Sequence, residues 1–439
     1  MTKLGLGNLI KNSLTTLVRQ LGVGLLQLAT VVAIARTLGP EGNGQFAIAL
    51  LLPTMLSTFL NMGLPNANVH FIGSKKVSVA IVLQTSLIWS AFLIFCGLIC
   101  GSIAIAIFGN KWFPGVSLSA LWLALCIYPG LLIQTFLVSI FQGLQDFKSY
   151  NLVLLSQPTL TLFLILLLGT SRLNSVTVIV GAYLAGSIAA LIAAGIMIPR
   201  GLEVIKSRCN SWRDYSISVT GYALKTHLSI ALAFLNYRVD FYLLNFFGNT
   251  TETGLYAIST QIAEKLWLLS AAVGIVLLPH LSELSAEKDR MKKVTPLVYI
   301  WVLLLTSVAG LFTVLLASPL ITLLFGEIYR SSAVIVQFLV PGVIAWSGAR
   351  VLAYDIAARG RPELNIYMNL GTLLINIIGN ILLIPQHGTR GAAIATTVAY
   401  CLFSIQMVVV YTKLFKINWK TAFNDFKAIN RQKISQFLS

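Results

Sequence analysis

No charged residue occurs between Lys76 and Lys111, and none between Lys111 and Asp146. An α-helix needs about 20 mostly apolar residues to cross a hydrocarbon layer about 30 Å thick. Inside that layer every backbone N–H and C=O must find its partner within the segment, so a succession of such runs confines the chain to an all-α integral membrane architecture. Apolar runs separated by charged or Gly/Pro-rich joints fall at 13–36, 45–72, 78–108, 116–142, 150–170, 175–198, 217–246, 254–279, 295–318, 332–357, 364–384 and 391–413. About twelve transmembrane helices are therefore expected. Of the 439 residues 57% are hydrophobic and 10% charged, against about 25% charged in soluble domains. That balance excludes a soluble enzyme and a disordered chain alike. The apolar stretch from Leu14 to Leu38 is too long for the core of a signal peptide and lacks a cleavage site, so it reads as the first span.

The formal net charge of +17 admits either nucleic acid or an anionic membrane as partner, and position decides between them. With the N-terminus in the cytoplasm and spans alternating, twenty-one cations fall on cytoplasmic joints and tail, and five on the opposite joints (Arg36, Lys111, Arg172, Arg330, Arg390). This asymmetry fits an even number of spans with both termini cytoplasmic. The positive charge is thus topological, and no nucleic acid is expected. Cys96, Cys100, Cys126, Cys209 and Cys401 show no metal-site spacing and read as packing residues.

The chain also repeats itself. Gly143, Asp146 and Tyr150 recur at identical offsets as Gly360, Glu363 and Tyr367, and Gly39-x4-Gly44-Gln-Phe-Ala-Ile is echoed by Gly248-x5-Gly254-Leu-Tyr-Ala-Ile. In both echoes the copies lie six spans apart, on one side of the membrane, so the halves are parallel repeats. The expected organisation is an N-terminal lobe over 1–198, a basic cytoplasmic linker over 199–216, a C-terminal lobe over 217–413, and a tail over 414–439. The tail carries Trp419, Phe423 and Phe426 at helical spacing between lysines, which suits an amphipathic helix on the inner leaflet. A disordered basic end is the alternative. Two parallel six-helix lobes around a central cavity follow from this symmetry.

Five cations remain within spans: Arg19, Lys225, Arg238, Lys265 and Arg350, against the acids Asp240, Glu264 and Asp355. A charge at the bilayer centre costs about 2.5–3.5 kcal/mol on insertion scales, so these groups should face a wet interior. There they would bind an anionic head group, most naturally a phosphate or diphosphate. Against this, Arg19 could snorkel to the cytoplasmic interface and Lys265 could pair with Glu264. Arg238 and Asp240, two apart, point in opposite directions on a helix, while Glu264 and Lys265 could share a partner on a facing helix. Asn365, Asn369, Thr372, Asn376 and Asn380 share one helix face. Asn369 and Asn376 are candidates for contact with sugar hydroxyls, and packing between helices is the equal alternative. Pro53, Pro65, Pro129, Pro158, Pro279 and Pro341 interrupt spans.

No Walker A sequence or His-Glu-x-x-His is present, and His70, His227, His280 and His387 lie on different segments. An enzyme or ATP-driven pump is not expected, nor a cofactor or catalytic metal. Ala35-Arg36-Thr-Leu-Gly39-Pro40-Glu-Gly-x-Gly44, Asn61-Met-Gly63-Leu, Arg238-Val-Asp240 with Gly254-Leu-Tyr256-Ala, Leu324-Phe325-Gly326-Glu-x-Tyr329 and Ile384-Pro385-x-His-Gly388-x-x-Gly391-Ala392-Ala393 stand in that order along the chain. Together they resemble the Wzx-type polysaccharide-biosynthesis flippases of the multidrug/oligosaccharidyl-lipid/polysaccharide superfamily.

The resemblance implies two six-helix lobes with a V-shaped cavity in the cytoplasmic (inner) membrane. It implies a secondary transporter that turns an isoprenoid-diphosphate-linked oligosaccharide to the outer leaflet by alternating access, for cell-surface polysaccharide synthesis. Ion-gradient coupling is implied too, for which Asp240 and Glu264 are the candidates. The expected partners are the anionic lipid-linked oligosaccharide, the bilayer and a polysaccharide polymerase complex, and a monomer is expected. The competing readings are a cation-coupled multidrug exporter of the same superfamily and a membrane-embedded glycan polymerase or glycosyltransferase. Cations outnumber acids within the spans, which argues against the first. No outer joint exceeds about ten residues, which argues against the second.

Overall fold

Apolar runs of this length become helices because the α-helix closes all backbone bonds locally, and the computed structural model contains helices and no strand among the described residues. Described are residues 6–74, 77–168, 175–198, 211–268, 270, 288–359 and 361–424. The helices are α1 (Leu6–Leu60), α2 (Leu64–Gly73), α3 (Val79–Trp112), α4 (Leu118–Leu125), α5 (Ile127–Gly143), α6 (Phe147–Leu168) and α7 (Val176–Met197). They continue as α8 (Trp212–Phe247), α9 (Thr250–Glu264), α10 (Lys288–Phe325), α11 (Ser332–Ala358) and α12 (Pro362–Phe415). Side-chain oxygens start several of them. Ser78, Ser117 and Ser175 accept from the backbone N–H three residues on, satisfying donors that the first turn leaves open. Asp146 does the same for α6, and the Ser149 hydroxyl bound to it holds its carboxyl below the usual carboxylate range.

At about 1.5 Å per residue the 55 residues of α1 would reach about 80 Å, well beyond a bilayer. The helix is broken at Gly39 (φ 68°), as α12 is at Gly388 (φ 54°). A further break separates α1 from α2 at Met62 and Gly63, both at positive φ, with Pro65 opening the next helix. A Cβ on Gly63 would lie 2.2 Å from the Ala223 carbonyl oxygen, so α8 packs directly onto that break.

Eight helical stretches among the described residues are long and apolar enough to cross a membrane. The expected seventh and eighth spans are not among them. The seventh is α8, which carries Arg213, Asp214, Lys225, Arg238 and Asp240, and the eighth begins in α9, which is only 15 residues long.

The chain divides into two compact units, one of residues 1–234 with 248–254, the other of 235–247 with 255–439. The division falls inside α8, whereas the expected border was the basic joint at 199–216. The cause is packing at the start of α8. In the first unit Tyr215 donates to Asn68 Oδ1 (3.0 Å), and Asn68 in turn donates to Ser86 (3.1 Å) and Ser139 (3.0 Å). Trp89 Nε1 donates to Ser216 (3.0 Å). The first half of α8 is thereby bound to α2, α3 and α5, around a core that includes Tyr128, Leu132, Phe136 and Val219.

The second unit has its own core of Trp346, Ala349, Leu352, Phe403 and Met407. Ile417 and Trp419 join it, with Trp419 Nε1 donating to Thr412 (2.6 Å), so the start of the tail docks on this unit. Residues 425–439, and with them Phe426 and the rest of the predicted amphipathic segment, lie outside the described residues, as do Pro279 and Cys209.

The same unit holds an ion pair. Asp355, fully buried, receives Arg359 in a two-pronged contact (Nε–Oδ1 and Nη2–Oδ2, both 2.9 Å) together with the hydroxyl of Tyr411. The Arg359 guanidinium lies 4.0 Å from the Phe415 ring. Removing one partner from such a pair leaves the other charge buried and alone. Asp355→Ala is therefore expected to destabilise the protein by about 3–5 kcal/mol, read as a lowered melting temperature in detergent, while Arg361→Ala, on an exposed residue, should leave it unchanged.

Candidate functional site

Three of the five membrane-depth cations lie in the second unit on described side chains: Arg238 on α8, Lys265 immediately after α9, and Arg350 on α11. Arg19 and Lys225 sit on described helical backbone, but their side chains lie outside the described residues. Arg238 and Glu264 form an ion pair (Nη1–Oε1 3.0 Å), with side chains 36% and 23% exposed. The same Nη1 also donates to the Tyr237 carbonyl (3.0 Å), and the guanidinium lies 5.4 Å from the Phe241 ring. These bonds engage one nitrogen, and a guanidinium carries five donors, so most of the fork is left for an anion.

Glu264 thus takes its partner from a facing helix, as its position beside Lys265 allowed. Its partner is Arg238, and Lys265 makes no ion pair within 4 Å among the described residues. The helix itself gives way here. Lys265 N bonds Ile262 O and Leu266 N bonds Ala263 O, both three-residue closures that end the regular α9 ladder.

Arg350 is tied to Arg238 through aromatic side chains. Trp346, one turn earlier on α11 and therefore on the same face, donates to the Tyr237 hydroxyl (3.1 Å), and Tyr237 precedes Arg238. Around them Trp267, Tyr400 and Phe403 pack ring against ring. Arg350 donates to the Tyr354 hydroxyl (3.1 Å) and faces no carboxylate within 4 Å among the described residues. It is half-buried, so its charge is open to solvent or to an anion.

Asp240 is different. It is 2% exposed and accepts from the Tyr256 hydroxyl (2.6 Å), Thr396 (3.2 Å) and the Phe241 N–H (2.8 Å), all neutral donors. The opposed directions of Arg238 and Asp240 hold in the structure, since no bond joins them. A carboxyl withdrawn from water without an ion-pair partner favours uptake of a proton or a small cation.

The amide stripe departs from the wet path expected for it. Asn369 and Asn376 are 7% and 0% exposed. Asn236 of α8 donates to the Asn369 carbonyl (3.0 Å), Asn376 donates to the Asn236 carbonyl (3.2 Å), and Asn380 donates back to Asn376 (2.6 Å to Oδ1). The stripe therefore clamps α12 to α8 and does not stand open to a sugar. Buried amides are held where both ends find partners, and α8 supplies them.

The model of the family described as polysaccharide biosynthesis protein matches residues 9–285. The chain belongs to this family. A Shigella flexneri protein described as a candidate O-antigen transporter is 22% identical over 432 residues, covering 93% of this chain and 99% of that protein. The Staphylococcus aureus capsular polysaccharide biosynthesis protein CapF is 25% identical over 190 residues, 43% of this chain and 48% of CapF. Among solved structures, the lipid II flippase MurJ in an inward closed conformation aligns with TM-score 0.71 and 16% identity, covering 96% of this chain and 99% of that one. The Vibrio cholerae multidrug transporter VcmN aligns with TM-score 0.63 and 16% identity, covering 92% and 98%. At such identities the likeness carries the fold, that of the superfamily to which the sequence motifs pointed.

Within this polysaccharide biosynthesis protein, several residues of the site were not legible from the sequence. Tyr256 and Thr396 reach Asp240 from helices far apart in sequence, and nothing local marks them. The Asp355–Arg359 pair could have been found, because acid and base four apart at a helix end face one another.

Proposed function

We propose that the protein is a flippase that carries an isoprenoid-diphosphate-linked oligosaccharide from the cytoplasmic to the outer leaflet of the inner membrane, without enzymatic turnover. The observation that carries this reading is Arg350, a half-exposed guanidinium at span depth with no carboxylate opposite it among the described residues, on the same aromatic cluster as the largely unengaged fork of Arg238. A diphosphate matches two planar donor forks, and holding it there draws the head group into the membrane while the tail remains in lipid. Twelve crossings with both ends cytoplasmic, in two repeated halves that open in turn to either face, provide the path. Family membership and the name of the Shigella relative support the polysaccharide context. Export of cationic drugs is disfavoured by the excess of cations, since like charges would have to meet in a poorly screened interior.

The reading is tested by reconstituting the protein in proteoliposomes with a diphosphate-linked oligosaccharide lipid on one leaflet and measuring its accessibility to a lectin on the other. Appearance of glycan on the far leaflet supports it, and transport of cationic dyes without glycan transfer sinks it. Asp240 is the group proposed to take up the coupling ion, because its carboxyl lies buried among neutral donors. Asp240→Asn keeps the shape and removes the charge, so transfer should become insensitive to an imposed proton or sodium gradient while lipid binding is retained. A gradient response equal to that of the wild type would remove Asp240 from this role.

A further inference from the structure

A cavity of about 760 Å³ opens along α6 in the first unit, lined by Lys148, Leu152, Leu155, Thr159 and Phe163 and by Ala189 of α7. The α6 residues lie at intervals of three and four, which makes the lining one stripe of the helix. Polar side chains on that stripe are turned back on their own helix. Ser156 donates to the Leu152 carbonyl (2.7 Å) and Thr159 to the Leu155 carbonyl (2.6 Å), so their hydroxyl protons are not offered to the groove. The surface presented is effectively hydrocarbon, with one charge at one end.

That charge is Lys148, exposed on a joint that the distribution of cations places on the cytoplasmic side. Asp146, two residues away, does not neutralise it at contact distance. Its two oxygens accept from the Ser149 N–H (3.1 Å) and hydroxyl (2.6 Å), and no ion pair to Lys148 forms within 4 Å among the described residues. An apolar groove with a free ammonium at its inner end has the charge and polarity of a lipid site whose head group is anionic.

Length selects the lipid. From Lys148 to Phe163 the stripe rises about 22 Å along the helix, whereas one leaflet contributes about 15 Å of hydrocarbon. An ordinary acyl chain ends near the bilayer centre, and the groove continues past it. We propose that the groove on α6 and α7 holds the tail of a long-chain polyprenyl phosphate or diphosphate, with Lys148 on its phosphate, and so makes this polysaccharide biosynthesis protein selective for tail length. The proposal rests on the reading of the chain as a carrier of lipid-linked glycan.

The test uses the full chain in nanodiscs with two photoreactive probes, a long-chain polyprenyl diphosphate labelled near the tail end and a phosphatidylglycerol labelled on its acyl chain. The expected result is labelling of residues 155–163 by the polyprenyl probe, competed at least tenfold better by unlabelled polyprenyl diphosphate than by phosphatidylglycerol. Equal labelling by both probes, or polyprenyl labelling that misses α6, overturns the proposal. Lys148→Gln should weaken capture of the diphosphate probe at least tenfold and leave the corresponding uncharged polyprenol unaffected. An equal effect on both, or none, counts against the phosphate contact.

A second measurement avoids folding defects. With the native cysteines replaced by serine, Thr159→Cys is blocked by a bulky maleimide after reconstitution. Flipping of a long-tailed substrate should fall at least tenfold, while an analogue with the same head group and a ten-carbon tail is unaffected. Loss of both, or of neither, overturns tail selection. Failure of the unmodified protein to flip any substrate would instead overturn the proposed function, and the labelling pattern on α6 would still decide the groove.

Discussion

Replacing Arg238 and Arg350 together by alanine is expected to lower flipping of diphosphate-linked glycan at least 100-fold, with insertion and folding intact. A hydrogen bond to a charged group contributes about 1.5–3 kcal/mol, so two forks on one diphosphate account for about 3–6 kcal/mol of binding, and every 1.4 kcal/mol is tenfold. Arg238 is 36% exposed, which places its share at the lower end through solvent screening. The single variants should differ in kind. Arg238→Ala also releases Glu264, whose negative charge then faces the incoming phosphate, so its effect should exceed that of Arg350→Ala. Arg238→Ala combined with Glu264→Gln should recover part of the loss. Undiminished glycan transfer by the double alanine variant would remove the cationic site from the mechanism, and absence of rescue by Glu264→Gln would remove the repulsion argument.

Gly44→Val is expected to be as damaging for a different reason. A Cβ on Gly44 would stand 1.7 Å from the Thr250 carbonyl oxygen, and one on Gly254 would stand 1.9 Å from the carbonyl oxygen of Pro40. The two segments meet backbone to backbone in the first unit, with Asn43 Nδ2 donating across the seam to Gly254 O (3.2 Å, buried). Overpacking commonly costs 1–3 kcal/mol. Here no side-chain rotation can relieve the clash, so about 3 kcal/mol or more is expected, read as a lowered melting temperature and lost transport. Because both glycines guard one contact, the second substitution should add little once the first has opened it. Full additivity of Gly44→Ala and Gly254→Ala, measured by thermal unfolding in detergent, would refute the shared seam.

This seam also shows how far sequence reasoning reached. The echo of Gly39-x4-Gly44 in Gly248-x5-Gly254 was visible as a repeat, and the physical content of a repeated glycine is close approach of backbone. That each copy's glycine faces the other copy's segment was not visible, because proximity across more than two hundred residues leaves no local trace.

The cations follow the same division. Hydropathy isolates Arg238, Lys265 and Arg350 as charges at span depth, since an apolar run makes any charge stand out. Which of them is paired is a matter of distance between helices, and the choice of Arg238 by Glu264 depends on how α8 and α9 pack. The asparagine stripe is the sharpest contrast. Its periodicity placed Asn369, Thr372, Asn376 and Asn380 on one face, and they do share one, but periodicity is silent about what the face meets. It meets Asn236, and the amides hold two helices together.

What the sequence by itself determined is the all-helical membrane class, the places where helices must begin and break, the repeat, and the list of charges that need a reason to be in lipid. These are local properties, set by hydropathy over about 20 residues, by capping side chains and by backbone torsion at glycine and proline. Only the tertiary structure decided that the division of the chain falls within α8, that Asp240 is held by Tyr256 and Thr396, and that α6 is grooved beside Lys148. Those outcomes depend on packing between segments remote in sequence, where shape complementarity and hydrogen-bond geometry choose among arrangements that hydropathy leaves equal in energy.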